Sequence, residues 1–342
     1  MDIKNIDIDK EDPIFIVGPK RGGTTLLRRI INSHSSVTIP PPDWFYHFVY
    51  SHLYSYGDLN REQNILELIK DCLNIPVVKR YWNMKKPPGE ILSLSPERSF
   101  RGVLVALFRI YAQRFNTPIW GSKTPGNVFW LKEIQENFPK ARFLFVYRDG
   151  RDVSIDQVEV LWGPNNLYTA CLLWQSYIQA ILRGRKLLDP KSYYEIYYED
   201  LVSESEKVVK GICEFLELEY EPGMLKYYQQ DPDDFLRKSF HQKTNGPITA
   251  DYMGMYKGLP SVDRQLQAAV IGDTLRELGY EVEDKPGEIG YWERERYLEE
   301  DRHGGLVSEG AVEYKHLLKR KRLERKEIGV WATQDKSLFQ QR

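Results

Sequence analysis

The sequence predicts an α/β fold in which helices cover both faces of a central parallel sheet. Two observations lead to this prediction. Short apolar segments bounded by glycine or proline alternate with segments of helical periodicity along most of the 342 residues, and this alternation is typical of parallel sheets. The segment 142–147 is nearly all apolar, as expected for a strand that is buried on both faces.

The first predicted strand covers residues 14–17 and leads through a glycine-rich turn into a helix that ends near residue 33. Gly18, Gly23 and Thr25 have the spacing of the phosphate-binding loop G-x-x-x-x-G-K-[ST], in which backbone N–H groups and a helix N-terminus meet an anion. The sequence therefore predicts a P-loop-like three-layer sandwich whose first loop holds a phosphate or a sulfate.

The same loop departs from the nucleotide-triphosphate pattern at one position. Thr24 stands where the pattern has a lysine, and the cations Lys20 and Arg21 precede the second glycine instead. The missing lysine is the residue on which NTP hydrolysis by P-loop enzymes depends. We therefore expect an anion site of related geometry and different chemistry.

The remaining elements follow in the order that an alternating fold requires. Helices are predicted at 61–73 and 96–115, the second with Ser95 as N-cap and Pro96 at its first position. The later predicted elements are a strand at 118–120, a helix at 127–138, a strand at 142–147, a helix after 150, a helix at 167–188, a strand at 193–198, a helix opened by a capping box at 203–206, and a helix at 262–278 that Gly279 ends.

The predicted domain organisation is one α/β domain over residues 1–285, with a helical insertion at about 44–116, and a charged helical extension over 286–342. Within the extension, the segment 315–326 is basic. It is either a nuclear-localisation or nucleic-acid patch or a solvated helix with acidic neighbours, and the neutral overall charge favours the second interpretation.

Composition narrows the classes of protein that the chain can belong to. The formal net charge of −1 provides no global field that would steer the protein to nucleic acid or to a membrane surface. The three cysteines lack metal-ligand spacing and are expected to be buried free thiols in a reducing compartment. No signal-peptide h-region and no apolar run of membrane-spanning length is present, so we expect a cytoplasmic protein.

Cationic side chains follow three of the predicted strands. Lys20 and Arg21 follow the first strand, Lys123 follows the strand at 118–120, and Arg148 follows the strand at 142–147. Ligands of open parallel sheets bind at the carboxyl ends of the strands. The sequence therefore predicts that these cations converge on one anion-binding crevice.

With these motifs in place, the sequence resembles the PAPS-dependent sulfotransferases, and in particular their bacterial and tyrosylprotein-type branch. Residues 20–27 (KRGGTTLL) are similar to the family motif P-R-S-G-T-T-L-L, and residues 143–153 are similar to its apolar strand followed by R-D-x-R-D-V. Lys123 in WGSKTP, the segment 197–201 (YYEDL) and the segment 254–257 (GMYK) resemble three further family elements.

The resemblance implies that the co-substrate is 3′-phosphoadenosine 5′-phosphosulfate (PAPS). Arg21 would contact the 5′-phosphosulfate, Arg148 and Lys257 the 3′-phosphate, and Arg21 and Lys123 would stabilise the departing 5′-phosphate oxygen. Because fixed cations neutralise that charge, no metal is expected. The residues that the resemblance places at the nucleotide are Lys20, Arg21, Gly22, Gly23, Thr24, Thr25, Arg148, Ser154, Tyr256 and Lys257.

One departure from the family concerns the 3′-phosphate. The family usually has a serine eight residues after the arginine of its second motif, and this sequence has Asp156 there. A carboxylate at that position would repel a phosphate. Either Ser154, two residues earlier on another side of the helix, takes the place of the serine, or recognition of the 3′-phosphate is weakened.

A second departure concerns the catalytic base. Some family members have a histidine two residues after the equivalent of Lys123, where this sequence has Pro125. Tyrosylprotein-type members use a carboxylate shortly after the first helix, and Asp43 lies close to that position. His47 is the second candidate and His34 a weaker one. Asp43 has the alternative role of a loop-capping carboxylate.

The function that the resemblance implies is transfer of a sulfuryl group from PAPS to a hydroxyl of a small alcohol or phenol. The oligomeric state is left open, and a homodimer is one of the possibilities. Two alternatives remain. One is a P-loop-type small-molecule kinase with Thr25 and Asp149 as magnesium partners, against which Thr24 argues. The other is a non-catalytic nucleotide-binding protein of the same fold.

The aromatic-rich segment 44–56 either lines the acceptor pocket or packs an inserted helical layer.

Overall fold

The structure, a computed structural model, describes residues 7–160, 162–230 and 243–304. Its centre is a sheet of five parallel strands in the spatial order β2-β3-β1-β4-β5. The strands are β1 (Ile14–Val17), β2 (Val37–Thr38), β3 (Ile119–Lys123), β4 (Arg142–Tyr147) and β5 (Tyr193–Tyr197).

Helices fill the connections between the strands and follow the last of them. Helix α1 (Thr24–Asn32) follows β1. Five helices lie between β2 and β3: α2 (Phe45–Phe48), α3 (Glu62–Asn74), α4 (Pro76–Tyr81), α5 (Pro88–Leu94) and α6 (Phe100–Gln113). The later helices are α7 (Leu131–Asn137), α8 (Gly150–Val158), α9 (Leu167–Gly184), α10 (Tyr198–Ser203), α11 (Ser205–Phe215), α12 (Ser261–Glu277) and α13 (Tyr291–Gly304).

Both faces of the sheet are buried, as the apolar strand at 142–147 predicted. Along β4, Phe143 and Phe145 pack into a core cluster with the inserted helices and α9, whereas Leu144 and Val146 pack into a second cluster with α1 and α11. Alternate side chains of a strand point to opposite faces, so one apolar strand serves two cores. The prediction of a P-loop-like three-layer α/β sandwich is confirmed.

The register of the strands brings the cation-bearing loops to one edge of the sheet. Ile16 of β1 pairs with Lys123 at the end of β3, and Val17 pairs with Phe145 near the end of β4. The loops that follow β1, β3 and β4 therefore leave the sheet on the same side, because the strands are parallel.

Two predicted helix starts are wrong. The helix predicted from residue 96 begins at Phe100, and its N-cap is Ser99, whose hydroxyl accepts from the N–H of Gly102. The hydroxyl of Ser95 donates instead to the carbonyl of Glu97. The predicted capping box at 203–206 does not form either, since Ser203 is the last residue of α10 and the N-cap position of α11 falls on the next residue.

Two further predicted boundaries move. The strand predicted at 118–120 extends to Lys123, and the helix predicted at 127–138 is a 3₁₀ turn (Pro125–Trp130) followed by α7. Pro125 begins the 3₁₀ turn, in which the shorter hydrogen-bond repeat replaces that of an α-helix. The helix predicted at 262–278 is α12, and Gly279 follows it with φ of 85°, the left-handed conformation of a C-cap glycine.

The part of the C-terminal extension that the structure describes contains helix α13. It packs on the start of α9, where the rings of Tyr297 and Tyr168 stack with centroids 5.3 Å apart. Asn166 donates from its side chain to the carbonyl of Tyr297 at 2.8 Å. The basic segment 315–326 lies outside the described residues. Among the helices within the described ranges, none is long and apolar enough to span a membrane.

Candidate active site

The loop after β1 is built around three unusual backbone positions. The N–H of Gly22 donates to the carbonyl of Pro19 at 2.9 Å, which closes a tight turn. Arg21 and Gly23 have φ of 68° and 95°, in the left-handed region that strains most side-chain-bearing residues. A Cβ on Gly23 would lie 2.6 Å from the ring of Tyr198, so glycine is required there for space as well as for conformation.

Helix α1 starts at this loop with its N-terminus open to an anion. Gly23 is the N-cap, no side chain within the described ranges caps the helix, and its first turn holds no acidic residue. Exposed N–H groups and the helix dipole at such an end favour negative charge. The geometry suits a phosphate or sulfate group in the position that the sequence predicted.

The β4–α8 connection and helix α8 support the loop from another direction. Arg148 donates from Nη1 to the carbonyl of Arg21 at 2.9 Å, and Gln157 donates from Nε2 to the carbonyl of Lys20 at 2.9 Å. Arg148 of the second motif thereby holds one carbonyl, and Gln157 of α8 holds the other. The sequence pointed to Arg148 as a ligand contact and gave no signal for the role of Gln157.

Lys123 and Lys20 are two cations that belong to different strand ends of this region. Lys123 ends β3, is 2% exposed, and its Nζ lies 3.2 Å from Oγ1 of Thr25. Nζ of Lys20 lies 5.8 Å from the ring centre of Trp44 and 5.4 Å from that of Trp162, at distances typical of cation–π contacts. The structure therefore places Lys123 against the first turn of α1, whereas Lys20, in the preceding loop, lies near two tryptophan rings.

Arg21 adds a third cation to this group. Burial lowers the pKa of its guanidinium, while the nearby carboxylate of Asp156 opposes that shift. An arginine stays charged in proteins under such perturbations. Its charge is therefore partly desolvated, which strengthens its interaction with an anion.

Arg148 lies in a buried cluster, in the connection between β4 and α8. Its Nη1 donates to Oδ2 of Asp156 at 2.6 Å, its Nη2 donates to the carbonyl of Tyr252 at 2.8 Å, and its guanidinium lies 4.5 Å from the ring centre of Tyr198. Lys243 donates to Oδ1 of Asp156 at 2.5 Å. The predicted 3′-phosphate ligand is thus paired with a carboxylate of the protein itself.

Ion pairing raises the pKa of Arg148 and lowers the pKa of Asp156 in this cluster. Burial disfavours the charge of Arg148, but Asp156, together with Tyr198 and Asp152, outweighs that effect and the pKa of Arg148 is raised. Burial disfavours the carboxylate of Asp156 as well, yet Arg148, Lys243 and Arg21 outweigh it and its pKa is lowered. Asp156 is therefore an anion at neutral pH.

Ser154 is not brought to this cluster. Its hydroxyl donates to the carbonyl of Arg151 at 3.0 Å and accepts from Nε2 of Gln267 at 3.0 Å. The two residues of α8 are two positions apart, so their side chains leave the helix in different directions. The alternative in which Ser154 takes the place of the family serine stays a prediction, and the hydroxyl of Ser154 is engaged with Arg151 and with Gln267 of α12.

The late loop is held against α8 by charged side chains. Asp152 accepts from the N–H groups of Gly254 and Tyr256 at 2.7 and 2.9 Å, and the guanidinium of Arg151 lies 3.8 Å from the ring centre of Tyr256. Lys257 follows as an exposed residue. Of the two residues predicted at the nucleotide, Tyr256 is packed on Arg151, whereas the side chain of Lys257 faces solvent.

Asp43 is buried beside the end of β3. Its Oδ2 accepts from the hydroxyls of Ser122 and Thr124 at 2.6 and 3.0 Å, and its Oδ1 accepts from the N–H of Phe45 at 3.1 Å. Burial raises its pKa, although these hydrogen bonds oppose the rise. Asp43 therefore makes the hydrogen bonds expected of a loop-capping carboxylate. It also fixes the positions of Ser122 and Thr124, the two neighbours of Lys123.

The two histidine candidates lie in different environments. His47 is exposed on α2, with its ring centre 5.7 Å from that of Trp44, which in turn neighbours Lys20. His34 follows the C-terminal end of α1, at the opposite edge of the sheet, and its Nε2 bonds the carbonyl of Glu219 at 2.9 Å. His34 is therefore removed from the candidate active site.

Most of the aromatic segment serves packing. Its buried members belong to the main core cluster: Phe45, Tyr46, Phe48 and Tyr56. The hydroxyl of Tyr56 donates to Oδ2 of Asp71 at 2.7 Å. Trp44 differs from them, because it is half-buried and its ring lies 5.8 Å from Nζ of Lys20 in the phosphate-binding loop.

Comparison with known proteins agrees with this architecture. A family model described as "Sulfotransferase family" matches residues 13–222, more than half of the 342-residue chain. Protein-tyrosine sulfotransferase A of Caenorhabditis elegans is 23% identical over 292 residues, which cover 81% of this chain and 69% of that protein. Omega-hydroxy-beta-dihydromenaquinone-9 sulfotransferase of Mycobacterium bovis is 26% identical over 276 residues, covering 67% and 70% of the two chains.

The match to an uncharacterized protein of Aquifex aeolicus, 26% identical over 225 residues, covers 64% of this chain and spans only 27% of that relative's length. Among solved structures, the sulfotransferase domain from the curacin biosynthetic pathway aligns with a TM-score of 0.53 at 22% identity. The alignment covers 80% of this chain and 99% of that domain, and it supports the fold. The loop after β1, the β4–α8 motif and the family match together identify this chain as a member of the sulfotransferase family.

Proposed function

We propose that this sulfotransferase transfers a sulfuryl group from PAPS to a hydroxyl of a small alcohol or phenol in the cytoplasm, where its three free, buried cysteines would stay reduced. The observation that supports it most is the contact of Nζ of Lys123 with Oγ1 of Thr25 at 3.2 Å. This contact puts a buried cation against an uncapped helix N-terminus, where a transferring anionic group needs charge and hydrogen-bond donors together.

The loop fits the 5′ end of the proposed donor. A Cβ on Gly18 would lie 2.6 Å from the carbonyl of Val146, and one on Gly22 would lie 2.8 Å from the ring of Pro19. Backbone therefore packs closely around the turn, and its N–H groups from Gly23 to Thr25 would bind the 5′-phosphate, while the N–H of Gly22 closes the turn onto Pro19. Lys20 and Arg21 would neutralise the sulfuryl oxygens.

The chemistry asked of the chain is charge stabilisation and removal of one proton. As the acceptor oxygen bonds to sulfur, the bond between sulfur and the bridging oxygen breaks, and its electron pair stays on the 5′-phosphate oxygen. Lys123 and Arg21 would stabilise that developing charge from fixed positions, which is the main source of acceleration in sites of this kind. The hydroxyl proton passes to a base of the protein.

Asp43 is the first candidate for that base and His47 the second. The raised pKa of Asp43 makes it a stronger base than an exposed aspartate. Its three hydrogen bonds leave about one acceptor position of its two oxygens for a substrate hydroxyl. His47 is exposed, so a substrate hydroxyl could reach its ring from solvent.

A hydroxyl-bearing acceptor is supported by the ring of Trp44 near the loop and by the names of two similar proteins. The ring of Trp44 beside Lys20 offers an apolar surface at the edge of the loop. Two relatives are named for acceptors that carry a hydroxyl, a protein tyrosine and an omega-hydroxy menaquinone. A small alcohol or phenol is our choice within that class, and a tyrosine-containing peptide is the alternative that the test must include.

The kinase alternative is weaker because its second magnesium partner is engaged. Asp149 is the N-cap of α8: its Oδ1 accepts from the N–H of Arg151 at 2.9 Å, and its Oδ2 pairs with the guanidinium of Arg151 at 2.6 Å. A carboxylate held in this way by a cation and a helix N-terminus has a structural role. The non-catalytic alternative is left to the experiment.

The test is a turnover assay with PAPS and a panel of alcohols, phenols and a tyrosine peptide. Lys123→Met is expected to reduce turnover by about 10²-fold or more. The matched control is Lys132→Met, because Lys132 is a surface lysine whose Nζ lies 3.6 Å from Glu136. EDTA-sensitive ATP consumption would support the kinase, and binding of adenosine 3′,5′-bisphosphate without any product would support the non-catalytic alternative.

A further inference from the structure

We infer that Asp156 occupies the place of the donor's 3′-phosphate beside Arg148, so that this enzyme gains no selective affinity from that phosphate and accepts a nucleoside 5′-phosphosulfate that lacks it. The inference rests on the proposed function, because it concerns the donor of that reaction. It concerns the cluster of Arg148, Asp156 and Lys243, which lies next to the phosphate-binding loop.

The carboxylate of Asp156 is satisfied by cations on both oxygens. Oδ2 accepts from Arg148 at 2.6 Å and Oδ1 accepts from Lys243 at 2.5 Å, and the residue is 2% exposed. A buried carboxylate between two cations is an internal anion. It gives Arg148 the partner that a bound phosphate would otherwise provide.

The guanidinium of Arg148 is already engaged through both of its terminal nitrogens. Bonds to Asp156 and to the carbonyls of Arg21 and Tyr252 use three of its five N–H donors. The ring of Tyr198 covers one of its faces at 4.5 Å. A 3′-phosphate that bound Nη1 would therefore have to replace bonds that already exist, whereas Nε is buried without a hydrogen-bond partner among the described residues.

The charge around the cluster is also largely balanced. The cations are Arg21, Arg148 and Lys243. The anions are Asp156 and Glu159, whose Oε2 lies 3.6 Å from Nζ of Lys243. A phosphate monoester with a charge of about −1.5 to −2 would meet a net charge of about one positive unit and a carboxylate at close range.

Moving the guanidinium of Arg148 away from Asp156 would also disturb the phosphate-binding loop after β1. The same Nη1 that pairs with Asp156 holds the carbonyl of Arg21 in the phosphate-binding loop. A guanidinium that turned toward a 3′-phosphate would release that carbonyl. The support of the loop therefore fixes Arg148 in its pairing with Asp156.

No hydroxyl of α8 restores the missing contact. Ser154 is bonded to the carbonyl of Arg151 and to Gln267, in the interface with α12. The side chain that decides donor selectivity is therefore Asp156. A neutral hydroxyl at that position would free Arg148 and Lys243 for an external phosphate.

The test is calorimetry on the full chain with adenosine 5′-monophosphate and adenosine 3′,5′-bisphosphate. For the wild type we expect dissociation constants within about 3-fold of each other, a difference below 1 kcal/mol. For Asp156→Ser we expect the bisphosphate to bind about 10-fold or more tightly than the monophosphate, because a like charge is removed. Asp273→Ser, which changes an exposed acidic residue, should behave as the wild type.

A second measurement uses only the wild type, so it does not depend on whether Asp156→Ser folds. Turnover with adenosine 5′-phosphosulfate should reach a kcat/KM within about 10-fold of that with PAPS. A wild type that binds the bisphosphate more than 10-fold tighter than the monophosphate overturns the inference and leaves the proposed function supported. Binding of neither nucleotide overturns the proposed function, and the inference with it.

Discussion

The guanidinium of Arg148 donates to the backbone carbonyl of Arg21 at 2.9 Å across 127 residues of sequence. One side chain thereby joins the loop after β1 to the motif after β4. In the sequence these motifs are two separate anion contacts. In the structure they are mechanically linked, so that a change in one is expected to alter the other.

The first prediction tests this link. Arg148→Lys should weaken binding of adenosine 5′-monophosphate by about 10-fold, because a lysine cannot hold Asp156 and the Arg21 carbonyl with one planar fork. The monophosphate has no 3′-phosphate, so the loss would come through the loop. Calorimetry is the measurement, and Arg142→Lys at the start of β4 is the control. Unchanged affinity would show that the loop needs no support from Arg148.

The second prediction concerns Arg21. Arg21→Ala should reduce turnover by about 10²-fold or more with a smaller change in nucleotide affinity, if its charge acts mainly on the leaving oxygen. Steady-state kinetics with calorimetry separates these effects. Arg98→Ala, at an exposed arginine near Glu62, is the control. Full turnover in Arg21→Ala would remove this residue from the mechanism.

The third prediction concerns the backbone of the loop. Gly23→Ala should destabilise the protein by about 1–3 kcal/mol, since φ of 95° disfavours alanine and its Cβ would lie 2.6 Å from the ring of Tyr198. Gly89→Ala is the control, because a Cβ there meets nothing within 4 Å. Denaturant unfolding measures both. Equal stability of the two variants would contradict the assigned geometry.

The fourth prediction is a pH dependence of stability. The pKa of Asp156 is lowered in the folded state from 3.8, so its ion pairs stabilise the fold above that value and lose their effect as pH falls through the folded pKa. Asp156→Asn should cost about 3 kcal/mol at pH 7, because Arg148 loses a buried partner. The difference in unfolding free energy from the wild type should shrink below pH 3.8. A difference that is constant from pH 7 to acid would contradict the ion pairing.

The fifth prediction separates the two candidate bases. If Asp43 accepts the proton, kcat/KM should rise with pH through a value above 3.8, and Asp43→Asn should lose about 10²–10⁴-fold in turnover together with that acidic limb. His47→Gln should then retain turnover. The reverse result would assign the base to His47. Ser122→Ala reports the positioning role, since it removes one hydrogen bond of Asp43 and leaves the carboxylate.

Part of the site followed from local sequence. The turn from Gly18 to Thr25 needs glycine where φ is positive or space is absent, and Gly23 satisfies both conditions. Lys123 was expected at a strand end, and the parallel register puts it level with Ile16 of β1. Local periodicity and parallel connectivity were sufficient for these predictions, because both act within a few residues or one sheet.

Other residues had no signal in the sequence. Lys243 stands in a segment without a motif, and Gln157 is an ordinary helix residue, yet one pairs with Asp156 and the other holds the carbonyl of Lys20. The predicted start at Ser95 failed because Ser99 offered a competing cap four residues later. Which of two hydroxyls caps a helix depends on the chain path before it.

The sequence by itself determined the α/β class, the family resemblance and the strand ends that bear cations, since these depend on apolar periodicity and on short motifs. Only the tertiary structure decided how the charges are paired. It turned Ser154 toward α12, placed Asp156 between Arg148 and Lys243, and tied Arg148 to the loop of Arg21. The pairing of buried charges depends on distances between elements far apart in the chain, and a linear pattern does not contain those distances.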